Sequence, residues 1–264
     1  MSASPTSAPA AAALSCASLT IGVASRTLVR DLTLGLRQGS VTCVLGCNGA
    51  GKTLTLHTLA GVRASNAGSV DIHGQSLASS SRKDLARALG LLTQTTDDPF
   101  PSTVLETVLI GRHPYIGFWQ WENERDQDIA RAALSAVGLV GFEARDIATL
   151  SGGERRRVAI ATLLTQDPSV MLLDEPTNHL DPHHQIEVLQ LLRTKAANGH
   201  TILMSMHDAG LAARFADHAL LLFGNGDWEF GTVADVLNEQ TISRLYRMRV
   251  QEVAWPGGRT FVPT

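Results

Sequence analysis

Gly46-Cys47-Asn48-Gly49-Ala50-Gly51-Lys52-Thr53 is the stretch whose reading decides the fold. It fits the pattern G-x-x-x-x-G-K-[ST], and its setting matters as much as its letters. The short apolar strand Ser40–Leu45 runs into it, and residues 52–61 leave it with a helical pattern. Glycines let the backbone curl until several N–H groups face one phosphate, and the helix N-terminus adds partial positive charge. In such a cradle Lys52 reaches the β- and γ-phosphates, and the Thr53 hydroxyl ligates Mg²⁺.

Working outward, Val170-Met171-Leu172-Leu173-Asp174-Glu175 is an apolar strand ending on two carboxylates. Two adjacent acids rarely close a buried strand unless they have a chemical role. Asp174 suits Mg²⁺ held through its water shell, and Glu175 suits polarising an attacking water. Leu150-Ser151-Gly152-Gly153-Glu154 combines Ser-x-x-Glu capping-box spacing with two glycines at a helix start. By itself it reads equally as a well-capped helix or as a second anion site.

Between these landmarks strands alternate with helices. Strands are expected at Ser18–Val23, Leu32–Leu36, Gly68–Ile72, Gly90–Leu92, 169–173, 201–206 and 219–223. Helices are expected at Arg82–Leu89, Arg125–Val137, Gly152–Gln166, 182–197 and 208–216. That rhythm indicates an α/β fold with a covered parallel sheet. No internal repeat is visible, which excludes two fused copies of one unit.

The 264 residues carry 22 basic and 25 acidic side chains, a formal charge of −3. So even a balance leaves no electrostatic footprint for nucleic acid or an anionic membrane surface. No apolar run of about 18 residues is present to cross a bilayer. Residues 1–16 are Ala/Ser/Pro-rich without Lys or Arg and read as a flexible tail rather than a secretory signal. Cys16, Cys43 and Cys47 are odd in number and lack paired spacing, as in a reducing compartment without disulfides.

Six elements stand in the order found in ATP-binding-cassette (ABC) ATPases: Gly46–Thr53, Gln94, Leu150–Glu154, Val170–Glu175, Asn178-His179-Leu180-Asp181 and His207. The chain resembles their nucleotide-binding domain. The resemblance implies a P-loop NTPase (RecA-like) core over residues 17–250, an antiparallel β subdomain, and an inserted α-helical subdomain at about 95–150. Residues 1–16 then form the tail and 251–264 a C-terminal extension. It also implies ATP and Mg²⁺ as ligands and a head-to-tail homodimer, with each ATP between the cradle of one copy and the signature of the other. In that arrangement Ser151, Gly152 and Gly153 contact the partner's ATP, and Asp181 lies at the seam. Gln94 senses Mg²⁺ and water, Glu175 is the catalytic base, and His207 contacts the γ-phosphate.

Three positions depart from the family's habits: Val23 stands where an aromatic residue often stacks on adenine, Cys47 where proline is common, and Arg156 where glutamine is common. Cys47 reads as a small filler, and Arg156 carries no evident consequence. His179, His183 and His184 invite a metal reading, but Pro182 interrupts the run, and ordinary surface histidines are preferred.

Leu109-Ile110-Gly111-Arg112-His113-Pro114-Tyr115 and the stretch Thr232–Val250 are similar to subunits that serve metal-chelate uptake. This implies a bacterial importer for an iron–siderophore, haem or cobalamin, with membrane permease subunits and a periplasmic binding protein as partners. The chain is then peripheral, on the cytoplasmic face of the inner membrane. Phe100, Tyr115, Phe118, Trp119 and Trp121 cluster after Gln94 and form a candidate dock for a permease helix, or pack within the helical subdomain. A soluble cassette acting in translation or on DNA, or a small-molecule kinase, fits less well. The former usually carries two cassettes or basic insertions, and the latter has no signature.

Overall fold

A computed structural model describes residues 12–94, 101–117, 119–255 and 257–264. The chain opens with two long strands, β1 (Ala12–Val23) and β2 (Arg26–Arg37), paired antiparallel. β3 (Val41–Leu45) follows, buried at every position, and delivers the glycine-rich turn to α1 (Lys52–Leu59). β4 (Ala67–Ile72) returns to pair with β1, and the two-residue β5 (Gln75–Ser76) completes a four-stranded antiparallel sheet, β2-β1-β4-β5. α2 (Arg82–Ala88) and β6 (Leu89–Leu92) lead to Gln94.

The next stretch is helical: α3 (Val104–Leu109), a 3₁₀ turn over Ile110–Tyr115, and α4 (Glu124–Ala136), with capping boxes starting both α-helices. α5 (Gly152–Gln166) and β7 (Val170–Leu173) return the chain to the sheet. Next come α6 (Pro182–Ala197), β8 (Thr201–Ser205), α7 (Ala209–Phe215), β9 (His218–Leu222) and β10 (Trp228–Thr232). The C-terminal part is α8 (Val233–Val236), α9 (Glu239–Tyr246) and a hairpin of β11 (Val250–Trp255) and β12 (Gly258–Pro263).

Six strands form the central sheet in the order β10-β9-β3-β8-β7-β6, parallel except for the edge strand β10. Pleating sends Val41, Cys43 and Leu45 toward helices α3 to α7, and Val44 toward α1 and the antiparallel sheet. The sheet is therefore covered on both faces. Its carboxyl edge collects the ends of β3, β6, β7 and β8, the place where open α/β sheets bind ligands.

Two expectations need correction. The tail does not extend to residue 16: β1 begins at Ala12, with Ala13, Leu14 and Cys16 buried, while residues 1–11 lie outside the described region. Small Ala, Ser and Cys side chains look like low complexity, yet they fit here because Leu14 pairs with both Leu36 and Ile72 in the middle of the sheet. Likewise, a boundary between residues 250 and 251 would cut β11, whose partner β12 packs against α7. All three cysteines are free thiols. Burial pushes Cys16 up to about 11 and Cys43 higher still, so neither forms a thiolate near neutral pH.

Candidate active site

The cradle is shaped by contacts that only glycine allows. A Cβ on Gly46 would lie 2.7 Å from the Leu222 carbonyl oxygen, and Gly51 holds a left-handed φ of 105° just before α1. Lys52, the first residue of α1, is 6% exposed. Its Nζ donates to the carbonyls of Gly46 at 2.8 Å and Cys47 at 3.5 Å. Burial lowers its pKa, and the nearby Glu175 and Asp174 carboxylates partly offset this.

Across the cleft, β7 delivers Asp174 and Glu175. Asp174 is fully buried; its Oδ1 accepts from Ser205 Oγ at 2.5 Å, while Oδ2 has no hydrogen-bond partner among the described residues. Ser205 Oγ in turn accepts from the Glu175 amide at 2.9 Å, so one hydroxyl ties both acidic residues to β8. Glu175 adopts φ 49°, in the left-handed region that a non-glycine residue enters at a cost of about 1–3 kcal/mol. That turn aims its carboxylate into the cleft. His207 Nε2 donates to Oε1 at 2.5 Å, and Asn178 Nδ2 at 2.5 Å and Gln94 Nε2 at 3.1 Å donate to Oε2.

Lys52, Thr53, Gln94, Glu175 and His207 thus share one cleft of about 750 Å³, with Asn48, Gly49 and Gly51 in its wall. Asn178 joins them as an unforeseen member, although it lies inside the Asn-His-Leu-Asp element. Ser205 was also unforeseen; a serine closing an apolar strand two residues before His207 is its only trace in the sequence. Val23, 47% exposed, and Arg26 border the cleft where an adenine-stacking aromatic was missed. Arg26 is steadied by a 2.9 Å bond to the Gly224 carbonyl. The Cys47 thiol donates to the Leu245 carbonyl at 3.1 Å, and Tyr246 donates to the His207 carbonyl at 2.9 Å, so α9 backs both the cradle and the histidine.

Ser151, Gly152, Gly153 and Asp181 lie elsewhere, lining a separate cavity of about 480 Å³ with His179 and His184. The capping box closes as expected: Ser151 Oγ accepts from the Glu154 amide at 3.3 Å, and Glu154 Oε2 accepts from the Ser151 amide at 2.7 Å. Hydrogen bonds from the Ser151 amide and then its side chain hold the Glu154 carboxyl below the usual range. Asp181 caps α6, its carboxyl lowered by the His184 amide and ring. His183 lies 3.3 Å from Glu187, and among the described residues no group of three or more His, Cys, Asp or Glu is placed to hold a metal.

The aromatic cluster divides. Tyr115, 37% exposed, is tied to the helical region, its hydroxyl on the Gln166 carbonyl at 2.9 Å and its ring 4.1 Å from the Arg112 guanidinium. Trp119 and Trp121 are 90% and 88% exposed, and Phe100 and Phe118 lie outside the described residues.

A phosphate cradle on β3–α1, facing a strand-end acid pair on the same parallel sheet, defines a P-loop NTPase. The family described as ABC transporter matches residues 29–178. The iron(3+)-hydroxamate import ATP-binding protein FhuC of Bacillus subtilis is 37% identical, over 92% of this chain and 91% of that one. The hemin import ATP-binding protein HmuV of Rhizobium meliloti is 36% identical, over 88% and 91%. A solved transporter described as metal-chelate type, in an inward-facing conformation, superposes with a TM-score of 0.84 at 27% identity, covering 96% of this chain and 98% of that one. The chain belongs to the ATP-binding subunits of ABC transporters, and its activity is ATP hydrolysis.

Proposed function

We propose that this chain is the ATP-driven motor of a bacterial importer of metal chelates, acting as a head-to-tail homodimer seated on membrane permease subunits. The observation that carries the dimer is the separation of the half-sites. Lys52 and Glu175 share one cleft, while Ser151, Gly152, Gly153 and Asp181 line another. In a head-to-tail pair each signature turn closes over the partner's cradle, and Asp181 meets the seam.

Bound ATP gives Lys52 phosphate oxygens in place of backbone carbonyls, a stronger, charge-assisted partner. Mg²⁺ fits the residues present: Asp174 Oδ2 is a buried carboxylate oxygen with no hydrogen-bond partner among the described residues, and Thr53 lies beside Lys52 in the cleft. When bound, the ion neutralises charge on the phosphates. Glu175 takes the proton of the attacking water, its carboxylate held in one orientation by His207, Asn178 and Gln94. Gln94 and His207 thereby register the state of the γ-phosphate. Closure on ATP and reopening after product release would drive alternating access in the docked permease.

The cargo proposed is an iron–siderophore or haem, with cobalamin as the alternative within the same group; relatives named for iron-hydroxamate and hemin import support the first two. A periplasmic binding protein would deliver it. Among the described residues no helix is long and apolar enough to cross a membrane, so attachment at the cytoplasmic face would come through docking. Trp119 and Trp121 are the proposed contact. The test is reconstitution with the permease subunits in vesicles, measuring ATP-driven uptake of ferric hydroxamate and of hemin. Uptake of either, lost in Glu175→Gln, supports the reading; ATP hydrolysis with neither chelate moved overturns the cargo.

A further inference from the structure

Arg156 lies one turn into α5 and is 4% exposed. A guanidinium so buried ordinarily pairs with a carboxylate. Among the described residues its hydrogen bonds go to backbone carbonyls on two loops. Nη1 donates to Thr93 at 2.6 Å and Gln94 at 3.5 Å, at the exit of β6. Nη2 donates to Asp174 and, at 2.8 Å, to Glu175; Nε donates to Pro176 at 3.4 Å, at the exit of β7. Burial lowers its pKa to about 10, opposed by the Asp174 and Glu175 charges, so it stays protonated at neutral pH.

The loops it binds are those that aim Gln94 and Glu175 into the cleft and carry the buried Asp174, and the Glu175 carbonyl it holds belongs to the residue at φ 49°. The helix it comes from begins with Ser151, Gly152 and Gly153 in the other cavity. One rigid helical turn therefore separates the signature from a fork gripping the backbone of the catalytic loops.

We infer that Arg156 is a positioning residue that locks the Gln94 and Glu175 backbones to the signature helix, so that a chain's engagement of its partner's ATP and the alignment of its own catalytic glutamate move as one unit. The two ATP sites of the dimer are then coupled through each chain, not only across the seam. A glutamine at this position offers one amide group and cannot span both loops; a lysine keeps the charge but lacks the planar fork. The inference rests on the head-to-tail reading above.

The experiment compares wild type, Arg156→Gln and Arg156→Lys as full chains, measuring ATP affinity with a fluorescent ATP analogue, kcat, and the Hill coefficient for ATP hydrolysis. Expected are an ATP Kd within about twofold of wild type, kcat reduced at least about tenfold, and a Hill coefficient falling toward 1. Arg156→Lys should recover part of kcat. Unchanged kcat and Hill coefficient in folded variants overturn the inference, as does a loss of ATP affinity that parallels the loss of kcat. If wild type itself shows no cooperativity and no ATP-dependent dimer, it is the head-to-tail reading that fails.

Hydrogen exchange on the Glu175→Gln chain supplies a readout independent of whether the Arg156 variants fold. On adding ATP and Mg²⁺, segments 92–94, 174–176 and 152–158 should gain protection together. Protection of the first two without the third contradicts the coupling.

Discussion

Replacing Glu175 by glutamine removes a proton acceptor and leaves the shape of the site almost unchanged. Glu175 is 7% exposed, and its carboxylate receives three donors: His207 on Oε1, and Asn178 and Gln94 on Oε2. An amide satisfies the same surroundings if its oxygen takes the Oε2 position and its NH₂ faces His207, whose ring then accepts at Nε2 and carries its proton on Nδ1. The substitution therefore costs little fold stability, and the removed negative charge leaves phosphate binding intact or improved. What it loses is general-base catalysis, worth about 10²–10⁴-fold in kcat, or about 3–5 kcal/mol on the barrier. The assay is single-turnover phosphate release with ATP affinity measured in parallel. A kcat reduced less than tenfold, or an ATP Kd rising in step with the loss of kcat, would refute the assignment of Glu175 as the base.

Lys52→Met should abolish ATP-dependent stabilisation and cut hydrolysis by about 100-fold or more, while making the nucleotide-free chain more stable at pH 7. Because burial lowers the folded-state pKa of Lys52, the unfolded chain binds the extra proton between that value and about 10.4. Wild-type stability relative to the variant should therefore rise with pH across that window, closing the gap in urea unfolding; a gap that widens would contradict it. Leu14→Ala should destabilise by about 2–5 kcal/mol in the same measurement, since Leu14 is fully buried in β1, whereas a side chain in a loose tail would cost nothing. Trp119→Ala with Trp121→Ala should weaken co-purification with the permease and leave isolated ATPase activity within about twofold, because both side chains project into solvent. Full co-purification by the double variant would move the dock elsewhere.

Where helix ends carry their own chemistry, the sequence announces them. α5 and α6 span the residues expected, because Ser151-x-x-Glu154 and Asp181-Pro182 mark their starts. The cradle is legible for the same reason: its glycines, lysine and threonine are contiguous. Gln94 meets Glu175 only through the fold, from 81 residues away, and only the family resemblance gave it a role; Asn178 reaches Glu175 across a local turn of three residues. Arg156 was opaque, since it reads backbone carbonyls, which carry no residue identity. β1 escaped in its first half because Ala13, Ser15 and Cys16 signal a strand only once β2 and β4 flank them. The strands β10, β11 and β12 escaped because they are edge or hairpin strands with half-exposed, mixed-polarity residues.

The central claim is that each chain holds half of two ATP sites. Light scattering on the Glu175→Gln chain during size-exclusion chromatography tests it most directly, with and without ATP and Mg²⁺. The expected result is a species of twice the 28.2 kDa chain mass only when ATP is present, reverting on nucleotide removal and blocked by adding Ser151→Arg. A chain that binds ATP tightly yet stays monomeric at saturation, or a dimer indifferent to Ser151→Arg, would contradict it.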